Sequence, residues 1–395
     1  MDIISSISQS LSEIHFIGQF VGWIHGLVND YGLTVILFTL VLKLITLPLD
    51  YWSRLSMKKT SAAQKELKPY IEDIDKRYPD DPQKANIEKQ ALYKKYNIKI
   101  ASGCLPMIVT MVIFIFMFQG LSAYSSYSSN MLYNKLAASY NSAYNEKYAY
   151  EQRVADKEVI DALNAQISEL EKLGDGISEE QKAILDGYKS DLSGKISERS
   201  VKEKSAGEAA ANAAAATFDS EREGFLWVKN IYRPDTWAQV FATYDEAVGT
   251  GASGQGIDKN KVSKEDYNLI YDAVMLSDAG KGYTGNHWNG LIILPVLSIG
   301  LAFVSSLISQ KANKVKGGVE DPQMEKSNKM MMFMMPLIYA FFVFQYTAAF
   351  SVYMVFSALF SILAGLIINP ITDKKAEAAI RAQFDSNKPS YMRKK

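Results

Sequence analysis

The residue that most constrains this sequence is a lysine inside an apolar run. In "GLTVILFTLVLKLITLPLDYW", residues 32–52, Lys43 has aliphatic neighbours on both sides. A hydrocarbon-spanning helix takes about 20 apolar residues, and a lysine at its centre costs about 2.5–3.5 kcal/mol on insertion scales. Counted from Gly32, Lys43 lies 11 residues in, a depth of about 16 Å at 1.5 Å per residue. Three arrangements could hold an ammonium there. It could snorkel, although that depth is close to the midplane and far from either surface. It could pair with an intramembrane acid, although the apolar runs contain none except Asp50, nearly two turns away at the edge. It could instead face a water-filled cavity among several spans. That arrangement has polar neighbours to offer: Thr39 one turn earlier on the same face, and Thr110, Gln345 and Tyr353 in other apolar runs. A positive charge in a half-hydrated cavity attracts acidic groups on a passing polypeptide. Lys43, Thr39, Thr110, Gln345 and Tyr353 are therefore the candidate substrate-binding residues.

No nucleophile–base pair or carboxylate pair accompanies them, so no catalytic residue and no enzyme activity is expected. His15, His25 and His287 lie far apart and form no metal-ligand spacing. The single cysteine, Cys104, excludes an intramolecular disulfide. No metal or cofactor is expected, and nothing points to specific nucleic-acid recognition.

The elements that must position the lysine are long apolar segments. Five runs are long enough to span a bilayer, at about 32–52, 104–124, 289–309, 329–346 and 348–369. The last two are separated only by the interruption Gln345-Tyr346-Thr347. The expected fold is an all-α polytopic membrane protein whose five transmembrane helices form a groove. A cytoplasmic helical hairpin and an external, mainly helical insert complete it. Charge sets the orientation. Residues 53–103 carry 12 Lys/Arg against 7 Asp/Glu, the loop 310–328 carries 4 against 3, and the tail 370–395 carries 7 against 3. The long segment 125–288 carries 18 against 26. Basic short loops stay in the cytoplasm, while long domains cross regardless of charge. The expected location is therefore the bacterial cell membrane, with the N-terminus and the acidic insert outside and the basic tail inside. The N-terminus shows no basic n-region and no small-residue cleavage site, so a removed signal peptide is not expected.

Local signals give the expected segments more detail. Residues 1–30 contain a helix with apolar Ile14, Ile17, Phe20, Val21, Ile24, Leu27 and Val28 at helical spacing, read as interfacial or as a loose cap on the bundle. Residues 31–52 form the first span and 53–103 the charged hairpin. In that hairpin Asp81 is the expected N-cap and Pro82 the first helical residue of the second arm. The alternative is a solvated hairpin that merely connects two spans. The insert 125–288 reads as a helical hairpin, with "GDG" (174–176) as a stop and "SEEQ" (178–181) as a capping box. The alanine-rich "AGEAAANAAAATF" could be helix or linker, and "GTGASGQG" (249–256) is a loop. Met324, Met330, Met331, Met332, Met334 and Met335 form a cluster that is either an adaptable apolar surface or ordinary lipid-facing packing.

Several stretches together carry a family likeness. "YGLTVILFTLVLKLITLPLDYW" with the following "SMKK" (56–59) resembles the opening of the core domain of the YidC membrane-protein insertases, a core shared with the Oxa and Albino families. The likeness continues through "YPDDPQK", "LYKKYNI" and "SGCLPMIV" (102–109). It resumes at "FLWVKNIYRPD" (225–235), "LPVL" (294–297), "DPQMEKSNKMMMFMMPLI" (321–338) and "AAFSVYMVFS" (348–357). It covers about 220 residues and all five expected spans in order. The resemblance implies a groove open to the cytoplasm and the lipid but closed outside. Lys43 would stand at the family's intramembrane basic position and Tyr353 at a groove-lining tyrosine. The implied partners are nascent membrane proteins with short acidic external tails, the lipid bilayer, the ribosome and the Sec translocon. The sequence departs from the family pattern at Thr110-Met111-Val112 and at Thr347-Ala348-Ala349. It also has no lipid-attachment cysteine near the N-terminus and no large extra periplasmic domain, which together imply a Gram-positive-like form with an enlarged external insert. Two rival readings stay open from the residues: a small-anion transporter using Lys43, and an envelope scaffold acting through the insert.

Overall fold

The computed structural model describes residues 3–96, 105–249, 256–275, 288–313, 330, 334, 337–338 and 340–387. The expected span 329–346, the loops 310–328 and 249–256, the methionine cluster and the end of the tail lie wholly or partly outside the described residues. Among the described residues every regular element is helical, apart from the isolated bridges Phe225–Val228 and Gln239–Trp288. The principal helices are α1 (Phe16–Val28), α2 (Tyr31–Arg77), α3 (Pro82–Lys95), α4 (Leu105–Lys147), α5 (Tyr150–Glu171), α6 (Glu179–Glu221), α7 (Tyr244–Ala247), α8 (Lys264–Met275), α9 (Ile293–Asn313) and α10 (Ala348–Asn387).

The chain forms two compact units. One comprises Leu11–Ser125, Gly224–Ala238 and Asn289–Lys395; the other comprises Met1–Ser10, Ser126–Glu223 and Gln239–Trp288. The segment 1–30 is divided at Ser10, and the insert 125–288 is not one block, because Gly224–Ala238 belongs with the apolar helices.

In the first unit, α2 is 47 residues long and α10 is 40, about 70 Å and 60 Å at 1.5 Å per residue. Each is about twice the thickness of a hydrocarbon core. By length and composition both can cross a membrane, and α1 and α9 are shorter apolar helices. No helix break occurs where the apolar run of α2 ends near Trp52 or that of α10 near Asn369. Both helices continue into charged sequence, through Pro48 and Pro69 in α2 and Pro370 in α10. Each proline removes one backbone hydrogen bond, too little to end helices packed along their length. α10 packs against α2 and α9, while Leu44, Ile45, Val296, Leu363, Leu366 and Ile367 remain exposed. Aliphatic surface on that scale marks a face meant for lipid or protein.

At the far end of these helices the chain folds back. Asp81 caps α3 by accepting from the Lys84 N–H, and Pro82 occupies its first turn, as the spacing predicts. Leu67, Ile71 and Tyr93 form a small core between α2 and α3, with Leu92, Tyr96 and Phe384 against it. The last turns of α10 join this hairpin. Ile380 packs on Ala62 and Ala63, Phe384 stacks on Tyr96 with centroids 4.8 Å apart, and Gln383 Nε2 donates to the Tyr96 carbonyl at 2.6 Å. The first part of the basic tail is therefore helix as far as Asn387, docked on the hairpin through Ile380, Gln383 and Phe384.

A buried polar knot sits at the opposite end. Asn289 Nδ2 donates to the carbonyls of Asn230 and Pro234, and its Oδ1 accepts from the Asn230 N–H. Asp235 accepts from the Leu291 and Leu294 N–H groups at 2.8 and 2.7 Å and from Trp227 Nε1 at 3.1 Å. The Ala348 and Ala349 N–H groups donate to the Arg233 and Ile231 carbonyls. The loop 224–238 thus satisfies first-turn donors of both α9 and α10, donors that have no partner within their own helices. A Cβ on Gly290 would lie 1.8 Å from Asp235 Oδ1 and 3.0 Å from its Cα. Gly290→Ala is expected to lower the unfolding free energy by about 2 kcal/mol through overpacking, read as a lower unfolding temperature in detergent. An unchanged temperature would show that the knot does not stabilise the unit.

In the second unit, a core of Tyr133, Leu136, Phe218, Phe241, Tyr267 and Ile270 is closed by Ile4 and Ile7 from the N-terminal segment. Asn141 and Asn134 hold that segment through its backbone. The alanine-rich stretch is helix. Ala206, Ala210 and Ala214 are buried at four-residue spacing with Phe218, so small side chains let α6 approach its neighbours closely. α6 opens with the predicted capping box at Ser178 and Gln181, and Gly174 takes φ +52° in the turn before it. Where α5 meets α6, Asp156 accepts from Tyr148 Oη at 2.6 Å and from Lys202 Nζ at 3.0 Å. These bonds, Tyr148 first, hold the Asp156 carboxyl below its usual range. Burial, then the bond to Asp156, pushes Tyr148 up to about 12. A depressed carboxylate stabilises above its unfolded pKa, near 4, and loses that contribution as pH falls through the folded value. The raised phenol acts oppositely, its contribution being full below about 10 and lost as pH climbs toward the folded value. Asp156→Asn is expected to flatten the acid side of the stability–pH profile, measured by thermal unfolding between neutral pH and pH ~3. An unchanged acid slope would exclude this carboxylate as its source.

Candidate functional site

The lysine at the centre of the apolar run of α2 is half-buried, and Nζ donates to Ser361 Oγ on α10 at 3.0 Å. Ser361 Oγ in turn donates to the Ser357 carbonyl at 2.9 Å. The ammonium is thus held between helices by a neutral hydroxyl. Two more cations follow on the same stripe of α2, at spacings of 11 and 4 residues: Arg54 and Lys58. Eleven residues are close to three full turns, so all three side chains leave α2 toward α10. Arg54 Nη1 donates to Asn369 Oδ1 at 3.1 Å and Nη2 reaches the Ser361 carbonyl at 3.5 Å. Lys58, 3% exposed, donates to the Asn369 carbonyl at 2.9 Å and pairs with Asp373. Along this ladder the acceptors change from hydroxyl to amide and carbonyl to carboxylate.

The other candidate residues are placed as follows. Thr39 is buried one turn before Lys43, and its hydroxyl donates to the Val35 carbonyl at 2.6 Å, which leaves an acceptor oxygen at most. Tyr353 is buried near the start of α10, with its ring 6.3 Å from that of Phe350. Gln345 is exposed at the end of the helical stretch 340–345. Thr110 lies in α4, and its side chain is outside the described residues. Sequence alone does not single out Ser361, Arg54, Asn369, Lys58 or Asp373. The signal available was the spacing of the cations along one helical face; their partners lie more than 300 residues further on.

α1 adds a further feature. Its Val21 and Ile24 are buried, yet Phe16, Trp23 and Leu27 are 67%, 60% and 65% exposed. Both faces of this helix are therefore apolar, one against the protein and one bare.

Long helices with bare aliphatic faces, and cations held between them by neutral groups, define an α-helical membrane protein. More narrowly, the chain belongs to the 60Kd inner membrane protein family, whose sequence profile it matches over residues 23–160 and 208–375. It is similar to the membrane protein insertase YidC of Caldanaerobacter subterraneus subsp. tengcongensis, with 35% identity over 114 residues, 29% of this chain and 53% of that protein. It is also similar to the proteins of that name from Campylobacter jejuni and Chlamydia muridarum. These share 38% identity over 96 residues and 39% over 97, covering 24% and 25% of this chain and 17% and 12% of theirs. The chain thus spans about half or less of the length of these relatives.

Ser361→Ala would leave Lys43 Nζ without its hydroxyl acceptor. The expected cost is about 1 kcal/mol, seen as a lower unfolding temperature of the purified protein in detergent. A Lys43→Met, Ser361→Ala pair should lose less than the sum of the single changes; strict additivity would show that the two do not interact.

Proposed function

We propose that this chain is a membrane protein insertase and chaperone. It helps nascent membrane proteins to insert, to translocate short polar tails and to fold in the bilayer. The observation that carries the reading is Lys43, an ammonium midway along an apolar helix whose acceptor is a hydroxyl rather than a carboxylate. Its charge is thus left available to a substrate. The family, and the names of the similar proteins as membrane protein insertases, support the same reading.

In this reading five spans, near 31–52, 104–124, 289–309, 329–346 and 348–369, enclose a hydrated groove. Lys43, Thr39, Thr110, Gln345 and Tyr353 are its substrate-binding residues. The protein lies in a bacterial plasma membrane with its N-terminus outside and its C-terminus in the cytoplasm. The ends of α2 and α10 with α3 then form the cytoplasmic face, where ribosome and Sec translocon approach. No bond is made or broken. The groove shortens the apolar path that a polar tail must cross, and Lys43 offers a transient counter-charge. Burial of the substrate's own apolar segment in lipid drives the step, at about 25 cal/mol per Å². The contact with Lys43 must be weak, since a tight pair would hold the substrate in place. The bare face of α1, bearing Phe16, Trp23 and Leu27, lies in the outer interface.

The test is insertion by the purified protein in liposomes of a single-span protein with a short acidic tail, scored by protection from protease. Lys43→Arg is expected to insert as wild type does, and Lys43→Glu to fall by about tenfold, the effect of about 1.4 kcal/mol. Equal insertion by the two variants would remove Lys43 from the mechanism.

A further inference from the structure

We propose that Arg54 is the entry cation of this groove: an acidic residue of the substrate meets its guanidinium first and passes from it to Lys43. The inference rests on the insertase reading and adds to it a residue, an order of contacts and a selectivity.

Position comes first. The apolar run of α2 ends at Trp52, so Arg54 stands at the inner mouth. It lies 11 residues from Lys43 on the same stripe, about 16 Å along the axis. An arginine there that merely followed the excess of basic residues on the cytoplasmic side would extend toward water and headgroups. This one turns across to α10. Its Nη1 and Nη2 reach the Asn369 side-chain oxygen and the Ser361 carbonyl.

Space is provided for it. Gly365, buried on α10, has no side chain where a Cβ would lie 3.2 Å from Arg54 Nη1. A residue with a longer side chain there would occupy the notch in which the guanidinium lies.

Charge is the third consideration. Lys58, one turn further, has its positive charge matched by Asp373. The acceptors of Arg54 are neutral, as is that of Lys43. The acid that acts on both is Asp50, one turn before Arg54. It lowers the net field without forming the bidentate pair that would occupy the guanidinium. An arginine fork whose donors face neutral oxygens can exchange them for a carboxylate and gain a charge-assisted pair.

The two cations are also joined. Ser361 gives its hydroxyl to Lys43 and its carbonyl to Arg54. A carboxylate that draws Arg54 away from that carbonyl arrives beside the residue that holds Lys43.

The experiment uses the full chain in liposomes and two substrates differing only in the tail, one with Asp and Glu, the other with Asn and Gln in their place. Arg54→Gln is expected to lower the ratio of acidic-tail to neutral-tail insertion by about tenfold, and Arg54→Lys to restore most of it. Gly365→Leu, which keeps the charge but fills the notch, is expected to lower the same ratio. A substitution that only weakens the helix packing lowers both substrates alike. That result for Arg54→Gln, or an unchanged ratio, would overturn the proposal while leaving the insertase reading intact. Failure of the unaltered protein to insert either substrate would overturn that reading and the proposal with it.

Discussion

The constraint on which the site depends is the need to satisfy backbone donors at the ends of helices that run through an apolar layer. A helix start leaves N–H groups without intrahelical partners, and in hydrocarbon no water replaces them. Here the loop 224–238 supplies the partners for α9 and α10 together, through the Asp235 carboxylate and the carbonyls of Ile231 and Arg233. The same loop carries Tyr232, whose ring lies 5.0 Å from that of Tyr31 in the first turn of α2. The starts of three helices are thereby referred to one loop. The register of α10 against α2, and with it the meeting of Lys43 with Ser361, follows from that.

Further along the same pair of helices, the chemistry between them changes from apolar packing to a ladder of cations and acceptors. The electrostatic content rises in step, from one hydroxyl at Lys43 to a full ion pair at Lys58. This order runs against the cost of charge, since the cation nearest the centre of the apolar run has only a neutral acceptor. The ion pair at the edge fastens α2 to α10.

Features set by a few adjacent residues were legible in the sequence. The cap at Asp81, the proline after it, the capping box at Ser178 and the turn at Gly174 are all local, and all stand where the spacing puts them. Lys43 was legible for a different reason, because its cost in an apolar run demands an explanation. Its partner was not. Ser361 is one serine among several in the final apolar run, and only the pairing of α2 with α10 selects it. The polar knot is not legible in "FLWVKNIYRPD" alone, since Asn289 joins it from 59 residues away. The division of the insert was hidden for the same reason: the loop that returns to the apolar unit has no hydropathy signal of its own.

Pro370 gives the ladder a mechanical side. Its ring deprives the Leu366 carbonyl of a backbone donor, so α10 has a missing rung between Ser361 and Asp373. Lys58 grips the helix on both sides of that gap, at the Asn369 carbonyl and at the Asp373 carboxylate. The side chain works as a splint, taken from a neighbouring helix and laid across the weak point. With the splint in place, α10 moves as one rod from the knot at Ala348 to the docked end at Phe384. With it released, the rod would gain a joint between the Lys43–Ser361 contact and the docked end.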